Sequence, residues 1–174
     1  HNIEIYMASF CAVCPLVGEA VCRQVAGSFG GVEHRLELVR EKDGVRFIND
    51  SIASSPSRTI AGLRALEGQS LVLIAGGYDK HIPYAPLGEE IPGRVRALIL
   101  TGPTGPKIKE AVLAAGGKTP LILEEADFRQ AVLAAAKEAG PGETVLLSPA
   151  SASFDAFKNF EERGETFKTI VNEL

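Results

Sequence analysis

Short, unbroken apolar runs alternate along most of the chain with stretches whose apolar residues recur every three or four positions. Unbroken runs are typical of parallel strands buried on both faces, and the wider spacing is typical of amphipathic helices. The predicted strands are 70–75, 95–100, 121–123 and 144–147. The predicted helices between and after them are 55–66, 105–115, 127–139 and a last one that follows 148–153. This alternation predicts an α/β fold, with a doubly wound, mostly parallel, Rossmann-like sheet.

The start of the chain has a different pattern, which predicts a helical segment. Apolar residues recur at helical spacing over 3–29, with a break expected near Pro15 and Gly18. The glycines within 27–31 end this pattern, and the composition changes after them. We therefore expect a domain boundary at 27–31.

Two extended runs, 33–40 and 45–50, follow this boundary. The Asp43-Gly44 pair between them favours a tight turn, because both residue types tolerate a positive φ. The sequence thus predicts an antiparallel hairpin ahead of the parallel strands.

Composition fits a folded protein with a substantial core and excludes some classes of partner. Hydrophobic residues make up 45% of the 174 residues, and the net charge is −4. Since no run of Lys or Arg forms a basic stripe, nucleic-acid binding is disfavoured, and no apolar run is long enough to span a bilayer. The chain starts at His1 rather than at Met, so we expect a piece of a longer protein.

Three cysteines, Cys11, Cys14 and Cys22, lie in the helical segment. The spacing of the first two is compatible with a redox pair or with half of a zinc site, which would need further ligands at matching spacing. The favoured interpretation is packing of small apolar thiols on a helix face in a reducing cytoplasm. No metal site is predicted.

Polar residues gather where the predicted strands end, and parallel strands bring these ends to one edge of the sheet. Ser54 follows the hairpin, Lys80 follows the Gly76-Gly77 pair, and Ser153 closes the run that begins at Ser148. A lysine and two hydroxyls at one edge can clamp a small dianion, because they neutralise it and donate hydrogen bonds. A helix amino terminus at the same edge would add free N–H groups.

Each of these residues also has an ordinary structural interpretation. Lys80 alone is typical of a solvated surface lysine, Asp50 of a turn or helix cap, and Phe160 of a core aromatic. The run 148–153 alone is typical of a capped strand-to-helix turn. Their expected position at one edge makes a binding site an equally good interpretation.

Two nucleotide-binding motifs are absent from the sequence. It contains no Gly-x-x-x-x-Gly-Lys-Ser/Thr loop, and no Gly-x-Gly-x-x-Gly follows a strand. This stretch therefore supplies at most part of any nucleotide site.

Six short motifs occur in a fixed order along the chain. They are His1 to Glu4, Val32 to Arg35, Asn49 to Ser51, Gly76 to Lys80, Leu147 to Ser153 and Phe157 to Gly164. Single pieces such as Gly-Gly-x-Asp-Lys are weak signals, but the ordered set is specific. The set resembles the Mur ligases, most closely the members that add D-glutamate, and it covers essentially the whole chain.

The resemblance implies a three-domain enzyme of peptidoglycan synthesis, and hence of cell-wall biogenesis, cell shape and cell division. Residues 1–28 would be the helical tail of the central ATP-binding domain, and 32–174 the C-terminal, amino-acid-binding domain. ATP and Mg²⁺ would be bound mainly by the central domain, so this stretch alone is expected to be inactive. In the family's reaction, ATP phosphorylates the carboxylate of UDP-N-acetylmuramoyl-L-alanine, and the amine of D-glutamate then attacks the acyl phosphate. The expected protein is a cytoplasmic monomer.

The resemblance also implies roles for single residues, with Lys80 as the catalytic one that neutralises carboxylate charge. The implied contacts to D-glutamate are Ser54, Lys80, Ser153 and Phe160. The implied contacts to the nucleotide are Asn2, Arg35 and Asp50.

Two positions depart from the family pattern. Ile5 stands where the opening motif usually has a second Asn, so nucleotide contacts from this segment are not expected to match the family's. Ile52 stands where a lysine often follows the Asn-Asp pair, which leaves more of the carboxylate charge to Lys80.

Two alternative functions remain open at this point. One is another Mur-type or folylpolyglutamate-type ligase domain, which would share the fold and the ATP chemistry. The other is a non-catalytic module that binds a small anion by itself.

Overall fold

A computed structural model of the chain describes residues 2–174, with side chains from residue 6 onward. The chain divides into two compact units, the first ending at Val32 and the second spanning Glu33–Leu174. No helix within residues 2–174 combines the length and the apolar character needed to cross a membrane.

The first unit is a pair of helices, as the spacing of its apolar residues predicts. Helix α1 spans Asn2–Val17 and α2 spans Glu19–Ser28. The break lies at Gly18, whose φ of 86° suits glycine, whereas Pro15 lies inside α1.

The three cysteines of this unit are free thiols in different environments. Cys22 is buried, Cys14 is partly buried and Cys11 is exposed. The interpretation as packed apolar side chains therefore describes Cys22 well and Cys11 poorly.

The second unit is a six-stranded sheet with helices on both faces. Its strands are β1 (Glu37–Lys42), β2 (Val45–Asn49), β3 (Leu71–Gly76), β4 (Val95–Thr101), β5 (Leu121–Glu124) and β6 (Thr144–Leu147). Its helices are α3 (Pro56–Ala65), α4 (Ala85–Glu90), α5 (Gly105–Ala115), α6 (Phe128–Glu138) and α7 (Phe160–Glu173). The predicted α/β fold with a hairpin at its start is confirmed.

The hairpin of β1 and β2 turns through Asp43 and Gly44, which have φ values of 52° and 77°. Positive φ at both central residues matches the twist of two antiparallel strands, which is why the Asp-Gly pair predicts the turn. The first strand begins at Glu37, later than the sequence pattern indicates, because His34 and Leu36 also adopt positive φ.

Two hydrophobic clusters cover the two faces of the sheet, and β3 supplies both of them. Leu71, Leu73 and Ala75 point to one cluster, and Val72 and Ile74 point to the other. All five side chains are buried, which explains why this strand reads as an unbroken apolar run.

The strand order β1-β2-β6-β3-β4-β5 creates a switch point in the sheet. From β3 the chain proceeds outward through β4 and β5, and it then returns to place β6 on the other side of β3. Connections that leave two neighbouring strands in opposite directions open a crevice at their carboxyl ends, where ligands of such sheets bind. The crevice here lies between the residues that follow β3 and β6.

Candidate functional site

The segments after β3 and β6 are joined by backbone hydrogen bonds. The Gly76 N–H donates to the Pro149 carbonyl at 2.8 Å, and the Tyr78 N–H donates to the Ala152 carbonyl at 2.9 Å. Gly77 has a φ of 145°, and a Cβ there would clash with the Ala152 carbonyl oxygen. A glycine is therefore required for the close approach of the two segments.

Lys80 and Ser54 meet at this edge, although they follow different strands. The Lys80 ammonium lies 3.5 Å from Ser54 Oγ, to which it donates, and its side chain is exposed. The neighbouring Asp79 accepts instead from Lys107, at 2.5 Å, and from the His81 N–H. Within residues 6–174 no carboxylate pairs with Lys80, so its positive charge remains available to a ligand.

Three serines in the segment after β6 have different environments. Ser148 Oγ donates to Asp50, and Ser151 Oγ lies 2.8 Å from both the Tyr84 and the Thr104 hydroxyls. The Ser153 side chain makes no hydrogen bond within the described part of the chain, although the residue is only 2% exposed. Of the three hydroxyls, that of Ser153 is the one left for a ligand.

The helix amino terminus that the sequence predicts near Ser153 lies further along the chain, at Phe160. Helix α7 begins at Phe160, and the Asn159 side chain caps it by accepting from the Glu162 N–H at 2.8 Å. The Glu162 carboxylate also accepts from the Lys158 N–H. The cap satisfies the Glu162 N–H, and the acidic residues Glu161 and Glu162 in the first turn offset part of the positive end of the helix dipole.

Phe160 is partly buried rather than a core residue. Its ring packs edge-to-face on His34, with centroids 6.0 Å apart, and its carbonyl accepts from Ser51 Oγ at 2.8 Å. The hydrogen bond ties the start of α7 to the loop after β2.

Asp50 is a buried acid at the end of β2, with 4% of its surface exposed. Its carboxylate accepts from Ser148 Oγ at 2.8 Å and from the Leu36 N–H at 3.3 Å. Burial raises the pKa of Asp50 to about 6, against the opposing effect of these hydrogen bonds and of nearby Arg35 and Arg58. Asp50 and Arg35 are thus brought together, whereas the side chain of Asn2 lies outside the described residues.

One cluster beside the site has the composition of a metal centre but is better described as a network of ion pairs. Ligand atoms of Glu33, His34 and Glu165 lie within 4.8 Å of one another. Lys168 donates to Glu33 at 2.6 Å and to Glu165 at 2.8 Å, and these carboxylates hold the pKa of Lys168 well above its usual range against the opposing effect of burial. The ammonium already engages both carboxylates that a metal ion would need as ligands.

The hydrogen bonding of the His34 imidazole also disfavours metal binding. Asn49 Nδ2 donates to His34 Nδ1 at 2.9 Å, and Asn49 Oδ1 accepts from the Ser51 N–H, which fixes the orientation of the amide. The proton of neutral His34 therefore lies on Nε2, the nitrogen that faces Glu165. A metal ligand would need that nitrogen unprotonated.

Arg163 is a prominent residue of the site for which the sequence motifs imply no role. It lies on the buried face of α7 with Phe167 and Ile170, and it is 2% exposed. Its signal in the sequence is a charged residue within an apolar helical stripe, which indicates a specific buried contact rather than a solvated side chain.

Comparison with known proteins gives a consistent set of relatives. The family model described as Mur ligase, glutamate ligase domain matches residues 34–151. The chain is 52% identical over 178 residues to the UDP-N-acetylmuramoylalanine–D-glutamate ligase of Clostridium novyi (strain NT). It is 50% identical over 176 residues to the ligase of the same name from Symbiobacterium thermophilum. Both matches cover 100% of this chain and 38% of the relative, so the chain spans well under half of these curated relatives.

Solved structures share the fold at low sequence identity. The UDP-N-acetylmuramate-alanine ligase MurC of Thermotoga maritima matches with a TM-score of 0.71 and 13% identity, covering 99% of this chain and 38% of that one. FolC of E. coli in complex with ADP matches with a TM-score of 0.61 and 19% identity, covering 95% of this chain and 38% of that one. At such identities these structures establish the fold alone.

Proposed function

This chain belongs to the Mur ligase family, and we propose that it is the part of a D-glutamate-adding ligase that binds the incoming amino acid. The observation that carries the proposal is the position of Lys80. Its ammonium has no carboxylate partner within residues 6–174, and it lies 3.5 Å from Ser54 Oγ at the edge that also holds the free Ser153 hydroxyl. A cation and two hydroxyls suit an amino acid with two carboxylates.

In the proposed reaction, ATP first phosphorylates the terminal carboxylate of UDP-N-acetylmuramoyl-L-alanine and leaves as ADP. The amine of D-glutamate then attacks the acyl carbon, an amide bond forms and phosphate departs. Lys80, Ser54 and Ser153 hold the two carboxylates of D-glutamate, and the edge of Phe160 borders the same site. Fixing both carboxylates orients the amine toward the acyl phosphate, so these residues contribute by positioning and by charge neutralisation.

Arg35 and Asp50 are the proposed contacts to ATP. A carboxylate accepts hydrogen bonds from ribose hydroxyls, and a guanidinium can stack on a base. Asp50 retains acceptor capacity after its hydrogen bonds with Ser148 and Leu36, since each carboxylate oxygen has two lone pairs. Asn2, the third residue that the family resemblance implies, lies outside the part of the chain whose side chains are described.

Mg²⁺ accompanies ATP in this proposal, but the described residues do not fit a site for it. The clustered ligand atoms of residues 33, 34 and 165 include an imidazole, and Lys168 holds the carboxylates. Magnesium prefers oxygen ligands in octahedral geometry. We therefore assign none of the residues 6–174 to the metal.

The domain assignment and setting follow from the same proposal. Residues 1–28 would be the tail of a central ATP-binding domain, and 32–174 the amino-acid-binding domain. The ligase would act as a monomer in the cytoplasm.

Among the alternatives, a folylpolyglutamate-type ligase is supported by fold similarity alone, at 19% identity for E. coli FolC. Relatives at 50% and 52% identity bear the name UDP-N-acetylmuramoylalanine–D-glutamate ligase. The higher sequence identity to the D-glutamate ligases than to FolC favours glutamate addition to the muramoyl precursor over a folylpolyglutamate-type reaction.

The proposal is tested with the intact protein that carries this chain. Phosphate release should require ATP, UDP-N-acetylmuramoyl-L-alanine and D-glutamate together, because the acyl phosphate forms from the first two and the amine consumes it. Replacing D-glutamate with D-alanine should abolish product formation, since D-alanine lacks the second carboxylate. The 174-residue chain alone should release no phosphate.

Two results would reject this assignment. Product formation with another amino acid at equal efficiency would identify a different ligase. Tight calorimetric binding of D-glutamate to the 174-residue chain, with no ligation by the intact protein, would identify a binding module.

A further inference from the structure

Arg163 uses every donor of its guanidinium on groups of the protein. Its Nε donates to Ser51 Oγ at 3.0 Å, and Nη2 donates to the Ser51 carbonyl at 2.9 Å. Its Nη1 donates to the carbonyls of Ser151 and Ala152 at 3.1 and 3.0 Å, and Nη2 also reaches the Ser151 carbonyl at 3.2 Å. Five N–H groups are the full set that an arginine has.

All of these acceptors are neutral, which is unusual for a buried cation. No ion pair in residues 6–174 includes Arg163, and the residue is 2% exposed. Desolvation lowers the pKa of Arg163 to about 10, with Asp155 acting in the opposite direction, so the guanidinium is charged at neutral pH. Buried charges are ordinarily paired, because an uncompensated one is costly.

The contacts of Arg163 lie next to the proposed ligands of the amino acid. Ser51 is three positions before Ser54, and Ala152 immediately precedes Ser153. Helix α7 carries Arg163 one turn after Phe160, whose carbonyl accepts from the same Ser51 hydroxyl.

The segment that carries Lys80 is also in contact with this guanidinium. A Cβ on Gly77 would lie 3.2 Å from Arg163 Nη1, so Gly77 lies close beside the guanidinium. Arg163 therefore lies where the segments after β2, β3 and β6 meet the start of α7. Each of these four segments carries one of the proposed ligands.

We propose that Arg163 is a positioning residue for the amino-acid substrate, and that its unpaired charge adds attraction for the two carboxylates. The guanidinium holds the segments that carry Ser54, Lys80 and Ser153 in register. A fixed charge that is already in place needs no reorganisation when the dianion binds. This inference rests on the proposed function, because it concerns the same site.

Arg163→Lys and Arg163→Gln in the intact protein separate geometry from charge. Lysine keeps the charge but not the planar fork, and glutamine loses both. We expect the KM for D-glutamate to rise at least about tenfold in the lysine variant and further in the glutamine variant, since hydrogen bonds to charged groups are the strong ones. The KM for ATP should change less than about twofold, because most of the nucleotide site is proposed to lie elsewhere.

Arg46→Lys is the matched control. Arg46 lies near the amino end of β2, where it donates to Gln69 and Thr144, far along the strand from Ser51. The substitution Arg46→Lys should leave the KM for D-glutamate unchanged. Ser51→Ala removes one acceptor and serves if the arginine variants fail to fold, with a smaller selective rise in the same KM.

The outcomes distinguish this inference from the proposed function. A selective rise in the KM for D-glutamate supports it, with the lysine variant intermediate. Equal changes in the KM values of all substrates, or an unchanged KM in Arg163→Lys and Ser51→Ala, would overturn it. If Lys80→Ala raises the KM for D-glutamate while the Arg163 and Ser51 variants do not, the site stands and the role of Arg163 fails. If none of the Lys80, Arg163 and Ser51 variants changes the KM for D-glutamate, the proposed function fails as well.

Discussion

Replacing Lys80 with alanine in the intact protein should raise the KM for D-glutamate by about 10- to 100-fold, the range of a hydrogen bond to a charged group. The substitution removes the one cation that donates to Ser54 Oγ in the described part of the chain. Ile52 stands where the family often has another lysine, so position 52 does not supply the charge that is lost. The KM for ATP should stay nearly constant.

Lys118→Ala is a suitable control, because Lys118 lies in the exposed connection before β5 and outside the site. Steady-state kinetics give the KM for D-glutamate when D-glutamate is varied at saturating ATP, and the KM for ATP when ATP is varied at saturating D-glutamate. An unchanged KM for D-glutamate in Lys80→Ala would remove Lys80 from the site. An equal rise of the KM for D-glutamate in Lys80→Ala and Lys118→Ala would indicate a general effect of removing positive charge instead.

Replacing Asp50 with asparagine should stabilise the fold at pH 7 and weaken ATP binding. Burial raises the pKa of Asp50 from 3.8 to about 6, so between these values the folded state holds a proton that the unfolded chain has lost. Stability from this group is therefore complete below about pH 3.8 and is lost as the pH rises through about 6. Asparagine does not ionise, and we expect a gain of about 1–3 kcal/mol at pH 7.

Chemical denaturation at pH 4 and pH 7 measures this effect. The two proteins should be nearly equally stable at pH 4 and should differ at pH 7. Asp127→Asn, which replaces the cap of α6 with an equally good cap, should change little at either pH. A gain that is the same at both pH values would contradict the ionisation argument.

Kinetics complete the test of Asp50. If its carboxylate accepts from the ribose, the asparagine variant should show a KM for ATP about tenfold or more higher, in spite of its greater stability. An unchanged KM for ATP would leave Asp50 as a buried acid without a role in nucleotide binding.

The fold was accessible from the sequence because its main signals are local. The run 70–75 lies in the sheet centre and is buried on both faces, and the Asp43-Gly44 turn needs only the two residues themselves. The Gly76-Gly77 pair likewise indicates a close approach of two backbone segments, but it does not identify the second segment. The structure shows that the partner of Gly77 is the Ala152 carbonyl.

The roles of the serines were not accessible, because they depend on residues far away in the sequence. Ser151 is bound to the Tyr84 and Thr104 hydroxyls, and Ser148 to Asp50. Nothing in the local pattern distinguishes these internal hydroxyls from that of Ser153. The start of α7 was misplaced for a similar reason, since Phe157 packs on Phe128 from a turn rather than from a helix.

Arg163 illustrates a signal that the sequence contains but that single motifs do not explain. Its helical register with Phe167 and Ile170 places a charge on a buried face, which indicates a polar contact without identifying it. The acceptors are carbonyls of Ser51, Ser151 and Ala152, together with the Ser51 hydroxyl. Such contacts depend on the topology that brings β2 and β6 side by side.

A crystal structure of the intact protein with D-glutamate bound would show whether Lys80 and Ser153 hold the amino acid. Carboxylate oxygens of the ligand should lie within about 3.2 Å of Lys80 Nζ and of Ser153 Oγ, at hydrogen-bonding distance. The amine should point away from the sheet edge. Density for D-glutamate at another surface, with Lys80 and Ser153 making no contact to it, would show that these residues do not form the amino-acid site.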